Sequence, residues 1–149
     1  MAPICSIAVL NGPNLNMLGM REPDIYGHQT LADIEAECRR LASEKQLEME
    51  WYQSNLEGEL ITKIQSLAGS VDWIVINAAG LTHTSVALRD ALSLFPGGVI
   101  EVHLSNIHAR ETFRHTSLIS GIAKGVIAGF GATSYYMAID AIPHLHLET

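Results

Sequence analysis

Two periods of apolar residues take turns along this chain. Residues 4–10 are apolar almost without a break, as in a strand covered on both faces, and lead into a stretch, 10–27, too broken by glycine and proline for a helix or strand. Thr30-Leu-Ala-Asp33 has the spacing of a capped helix start, and Leu31, Ile34, Cys38 and Leu41 then recur at helical intervals. Over 47–53, Leu47, Met49 and Trp51 alternate with Glu48, Glu50 and Tyr52, which predicts a strand with one wetter face at a sheet edge. Ser54-Asn-Leu-Glu57 repeats the capping spacing before a second helical stripe, Leu60, Ile61, Ile64, Leu67 and Ala68, that stops at Gly69.

The second half continues the alternation. Residues 71–77 predict a third strand, buried on both faces, that breaks into a loop over 78–83. Thr84 or Ser85 can cap a helix through Val86, Leu88, Ala91, Leu92 and Phe95, ended by Pro96-Gly-Gly98. A fourth strand over 99–104 is interrupted by Glu101 and His103, which an apolar interior does not tolerate without a partner or a purpose. A polar segment, 105–117, holds His108, Arg110, Arg114 and His115. A fifth strand over 122–130 and a helix over 132–142, ended by Pro143, complete the reading.

Strands alternating with helices predict an α/β fold with a parallel sheet. The length limits it to a flavodoxin-like, three-layer domain over 1–149, with five strands in the order 2-1-3-4-5. In that order the loops after strands one, three and four lie side by side at the carboxyl edge, where ligands bind in open α/β sheets. Asn14, Asn77, His83 and His103 can therefore converge.

Composition narrows the function. At 48% hydrophobic residues and mean hydropathy +0.18, the 149 residues can bury one full core. Sixteen acidic residues against 9 Lys and Arg give a formal charge of −7, an acidic surface without a basic stripe for nucleic acid. Cys5 and Cys38 fall on apolar stripes and read as reduced core thiols, and neither a signal-type segment nor a membrane span is evident, so a cytoplasmic location is expected.

Two pairs of residues suggest chemistry. Glu101 and His103, two apart on a strand, point to one face roughly 6.6 Å apart, where the carboxylate can orient the imidazole as a proton donor. The plainer reading is a satisfied core histidine at a strand end. The backbone N–H groups of Leu104 and Ser105, at the strand exit, could hold a carboxylate. In the first loop Arg21 can stabilise Tyr26 as phenolate; bringing a phenol from ~10 to near 7 takes on the order of 4 kcal/mol. Alone, that pair would read as an exposed arginine and a packed tyrosine. His83, His103, His108 and His115 lack metal-ligand spacing, and His144 and His146 fall in a tail. Gly129-Phe-Gly131 with Ser134 only half matches a dinucleotide fingerprint and reads as tight strand-to-helix packing.

Four segments together, GPNLN at 12–16, GMREPDIYG at 19–27, INAAGLTHTSVALRDAL at 76–92 and EVHLSNIHARE at 101–111, resemble type II 3-dehydroquinate dehydratase over nearly the whole chain. The resemblance implies dehydration of 3-dehydroquinate to 3-dehydroshikimate through an enolate, with no cofactor and no metal. It implies Tyr26 as base, activated by Arg21 on a lid, and Asn14 near a water at the enolate oxygen. His103 would be the acid, with Glu101 behind it. Asn77, His83 and Arg114 would bind ring hydroxyls, and the N–H groups of Leu104 and Ser105 the carboxylate. Asp90 would reach a neighbour's site in a homo-oligomer of twelve subunits, four trimers. Departures are mild: NAAG at 77–80, and Met17 and Met20 in the lid.

Rival readings have less to work with. A phosphoacceptor domain needs carboxylates after strand one, an aspartate after strand three and a lysine after strand five, where this chain has Asn11-Gly-Pro-Asn14, Asn77-Ala-Ala79 and Phe130-Gly131. A flavin module needs a hydroxyl-rich phosphate loop, absent from Pro-Asn-Leu-Asn. A non-catalytic binder of small molecules using the same pocket is the stronger alternative.

Overall fold

Period-two burial builds the centre of the molecule. A computed structural model describes residues 3–20, 24 and 28–148. Its strands are β1 (Cys5–Asn11), β2 (Leu47–Gln53), β3 (Trp73–Asn77), β4 (Gly98–His103) and β5 (Gly125–Ala128). All four pairings are parallel, in the order β2-β1-β3-β4-β5. Helices α1 (Leu31–Glu44), α2 (Glu57–Leu67), α3 (Val86–Leu94) and α4 (Thr133–Leu147) cover the sheet.

Alternate residues of each strand feed two cores. Ile7, Val9, Val75, Ile100 and Val102 pack with Ile34 and Cys38 of α1 and Ala138, Ile139 and Ile142 of α4. Ala8, Leu10, Ile74, Ile76 and Val99 pack on the other face with Leu60, Ile64 and Leu67 of α2 and Leu88, Ala91 and Leu92 of α3. Complete burial of such side chains contributes ~2 kcal/mol each. The same alternation puts Glu101 and His103 on the α2/α3 face, in step with Val99.

Local signals set most boundaries. Thr30 and Asp33 form the reciprocal capping box of α1, and Ser85 caps α3 through Leu88 N. β2 matches its predicted span, while β1 extends to Asn11, whose backbone pairs with Gln53 and Asn77. β3 and β4 start or end within two residues of expectation.

Three expectations need correction. The second capping box does not form: Ser54 Oγ accepts from Leu56 N and donates to Glu59, while Glu57 accepts from Ser85 Oγ, so its carboxylate serves the start of α3. β5 is four residues long, because Ser120–Ile122 forms a 3-10 turn and residues 117–120 are tied to Glu101. Between β4 and this turn, the polar segment 105–117 contains 3-10 turns at Ile107–Ala109 and Thr112–Arg114. Pro143 does not end the last helix, which continues to Leu147. Proline forfeits one hydrogen bond there. Packing of Leu145 on the core and donation from Trp73 Nε1 to His146 Nδ1 at 3.2 Å hold the added turn, so His144 and His146 are helical and not in a tail.

Candidate active site

The carboxyl ends of β1, β3 and β4 open onto a cleft of about 160 Å³. Close approach of two loops makes it possible. A Cβ at Gly12 would lie 2.6 Å from the Ala78 carbonyl oxygen, so only glycine lets the β1 loop rest on the β3 loop while Gly12 N donates to Asn77 O at 2.8 Å. Asn14 then adopts φ 72°, a left-handed conformation that asparagine tolerates, fixed by donation from its N–H to Asn55 Oδ1 at 2.9 Å.

Asn14, Asn77, His83, His103, Leu104, Ser105 and Arg114 all line this cleft, joined by Pro13, Leu15, Ala79, Gly80, Ile107 and Arg110. Glu101 lies behind His103, fully buried. Asp90 is exposed on α3 and is not among the lining residues. Arg21 and Tyr26 lie outside the described residues.

Hydrogen bonding sets the state of each histidine. His103 Nε2 is bonded to Glu101 Oε2. An ionised carboxylate only accepts, so Nε2 is the N–H and Nδ1 is the ring nitrogen not engaged with Glu101. Burial alone would raise the Glu101 carboxyl, but hydrogen bonds from His103, Ser120 and Ser117 outweigh it and hold the group below the usual carboxylate range. Ser120 Oγ donates to Oε1 at 2.6 Å and Ser117 Oγ to Oε2 at 2.9 Å. Backbone N–H groups of Ile119 and Ser120 donate in turn to Ser117 Oγ. His83 Nδ1 lies 2.9 Å from the Thr116 carbonyl, which also only accepts, so Nδ1 is the N–H that donates to it.

Positive charge comes from the 105–117 segment. Arg114 Nε donates to Glu111 Oε1 at 3.1 Å, and Arg110 Nη1 reaches Ser105 Oγ at 3.4 Å. The hydrogen bond from Arg114 helps hold Glu111 below the usual carboxylate range, behind a larger contribution from its own backbone N–H. Ser117 and Ser120 escaped the sequence reading, as did Arg110 in a definite role. A buried carboxylate needs donors, and the polar run preceding the strand that pairs with β4 was the place to seek them.

One set of residues brings metal-ligating atoms together among those described: Cys5, Asp72 and His146, within 4.8 Å of one another at the amino ends of the strands. Its donor set does not suit a cation. His146 Nδ1 accepts from Trp73, so the neutral ring holds its proton on Nε2 and has no second lone pair to give. Burial and the Asp72 charge also raise Cys5, keeping it a thiol.

A parallel α/β sheet carrying a carboxylate-backed histidine, a second histidine and two arginines in one small cleft has the make-up of an enzyme site suited to acid–base work on a small polar anion. Residues 5–143 match the family model for class II dehydroquinases, and the chain belongs to that family. It is 56% identical over 136 residues to the 3-dehydroquinate dehydratase of Synechococcus sp. (strain WH7803), covering 91% of this chain and 92% of that protein. A second 3-dehydroquinate dehydratase, from Brucella canis, is 53% identical over 143 residues, covering 96% and 91%. Among solved structures, type II dehydroquinase from Butyrivibrio crossotus superposes with TM-score 0.91 at 44% identity, covering 93% of this chain and 97% of the other. That from Propionibacterium acnes gives 0.92 at 40% identity, covering 97% and 99%. No helix among the described residues is long and apolar enough to cross a membrane.

Proposed function

We propose that the protein dehydrates 3-dehydroquinate to 3-dehydroshikimate through an enolate, as a single catalytic domain. Tyr26, as phenolate beside Arg21, takes a C2 proton. The electron pair moves onto the C3 oxygen, where Asn14 holds a water, and its return expels the C1 hydroxyl. His103 supplies the proton that turns that hydroxyl into water, with Glu101 stabilising the charged ring. Asn77, His83 and Arg114 bind the ring hydroxyls, and the N–H groups of Leu104 and Ser105 take the carboxylate.

The observation that carries this reading is the His103–Glu101 pair at the cleft, with Nε2 committed to the carboxylate and Nδ1 left to deliver the proton. Family membership and the names of the relatives support the substrate. Adding 3-dehydroquinate to purified protein and following the enone absorbance of the product tests it. Absence of turnover overturns it, and so does substrate-dependent inactivation by borohydride, which would indicate a Schiff base.

The same reading makes the active unit a homo-oligomer, a dodecamer of four trimers, in which Asp90 serves a neighbour's cleft; its exposure on α3 supports this. Sedimentation at assay concentration should find no active monomer. The two buried free thiols support placing it in the cytoplasm.

A further inference from the structure

Behind the cleft runs a chain of buried polar groups of which the proposed chemistry uses only Asn77. Asn11 ends β1, Asn77 ends β3 and Tyr135 lies in the first turn of α4, with exposures of 0%, 3% and 0%. Asn11 Nδ2 donates to the Tyr52 carbonyl at 3.1 Å. Tyr135 OH donates to Asn11 Oδ1 at 2.7 Å and accepts from Asn77 Nδ2 at 3.0 Å. Ala79 N donates to Asn77 Oδ1 at 3.1 Å.

Both ends of this chain are backbone groups, so its polarity cannot reverse. The Tyr52 carbonyl only accepts, which makes the Asn11 atom facing it the NH2 and leaves the Asn11 oxygen for Tyr135. That oxygen also only accepts, so the hydroxyl commits its single proton there and must accept from the next group. Asn77 therefore turns its NH2 toward Tyr135 and its oxygen toward the Ala79 N–H. An isolated amide could sit either way round, since exchanging N for O hardly changes its shape. Here the Ala79 N–H and the Tyr135 hydroxyl hold it in the same sense from its two ends.

We propose that Tyr135 is a positioning residue that locks the Asn77 amide so that its second Nδ2 hydrogen is offered to a substrate hydroxyl in the cleft. This rests on the reading of Asn77 as a substrate-binding residue. Without the tyrosine hydroxyl only the Ala79 N–H holds the amide, and its NH2 end can swing out of line with the substrate hydroxyl. Stacking on Trp51, with ring centroids 6.0 Å apart, holds the Tyr135 ring in either case.

Tyr135→Phe keeps the ring and removes only the lock. In protein shown folded by circular dichroism and assayed well below its melting temperature, KM for 3-dehydroquinate should rise about tenfold, with a smaller fall in kcat. In an Asn77→Ala background the same change should add less than about twofold, because no amide remains to be held. Asn11→Ala reads the lock from its other end: the hydroxyl regains a free proton, and KM should rise in the same direction. Wild-type kinetics in folded Tyr135→Phe overturn the proposal, as does an equal penalty with and without Asn77, which would make the network purely structural. Asn77→Ala with unchanged KM and kcat would instead overturn Asn77 as a substrate-binding residue.

Discussion

Ser120 donates its hydroxyl to Glu101 Oε1 over 2.6 Å, tying a 3-10 turn 19 residues downstream to the carboxylate that holds His103. Behind a larger contribution from His103, the bond helps to keep Glu101 ionised, and only an ionised Glu101 can both accept from His103 and stabilise its charged form. Ser120→Ala should raise the Glu101 carboxyl and loosen the imidazole, lowering kcat by about tenfold. The acidic limb of the kcat–pH profile should also move to higher pH. An unshifted limb with full turnover would leave Ser120 as a loop anchor only.

Loss of the acid itself should be graver. His103→Ala should reduce kcat by about 10²-fold or more, the usual scale for a positioned proton donor, with the fold intact. Steady-state turnover on protein verified by circular dichroism checks it. Near-normal kcat would make the Glu101–His103 pair structural.

Glu101 also ties stability to pH. Its folded value lies below its unfolded one, so its stabilisation is complete above the ordinary glutamate value of ~4.3 and is lost as pH falls through that value toward the folded one. Urea midpoints measured from about pH 6 to pH 3 should therefore fall less steeply in Glu101→Gln than in the native chain. Equal slopes would show that the folded and unfolded carboxyls titrate alike.

Tyr26→Phe removes the proposed base and keeps the ring, so kcat should collapse with little change in binding. Arg21→Gln should also cut kcat, and Arg21→Lys, which keeps the charge but loses the planar fork, should fall between. A pH limb that moves upward in Arg21→Lys supports activation of the phenol. An unshifted limb with raised KM would make Arg21 a substrate clamp. Full activity in Tyr26→Phe would defeat the base assignment.

The thiols give a probe of folding. Burial, joined by Glu37 and Glu35, pushes Cys38 up to about 12, and Cys5 is raised by burial and Asp72. Neither should react with a disulfide reagent at pH 8 in the native state, and both should react on unfolding. Rapid labelling of native protein would contradict the packing described for them.

Sequence alone determined the order of elements and the place where the cleft forms, because both rest on local periodicity. Ile74 and Ile76 against Val75, or Leu60, Ile64 and Leu67, declare a buried strand or an amphipathic helix without knowledge of what covers them. A sheet ordered 2-1-3-4-5 then brings Asn14, Asn77, His83 and His103 to one edge whatever the detail of their loops. Tertiary structure alone decided which donor meets which acceptor. Ser117 ends the polar segment and Ser120 lies just beyond it, and only the fold seats them on Glu101. Pro143 is a helix breaker by its ring, yet Leu145 and His146 find partners on the core and Trp73 that outweigh the lost bond. Tyr135 and Asn11 stand 124 residues apart, and no periodicity carries information over that distance. Their bond exists because α4 returns to the ends of β1 and β3, where a buried amide must find a partner or forfeit its hydration.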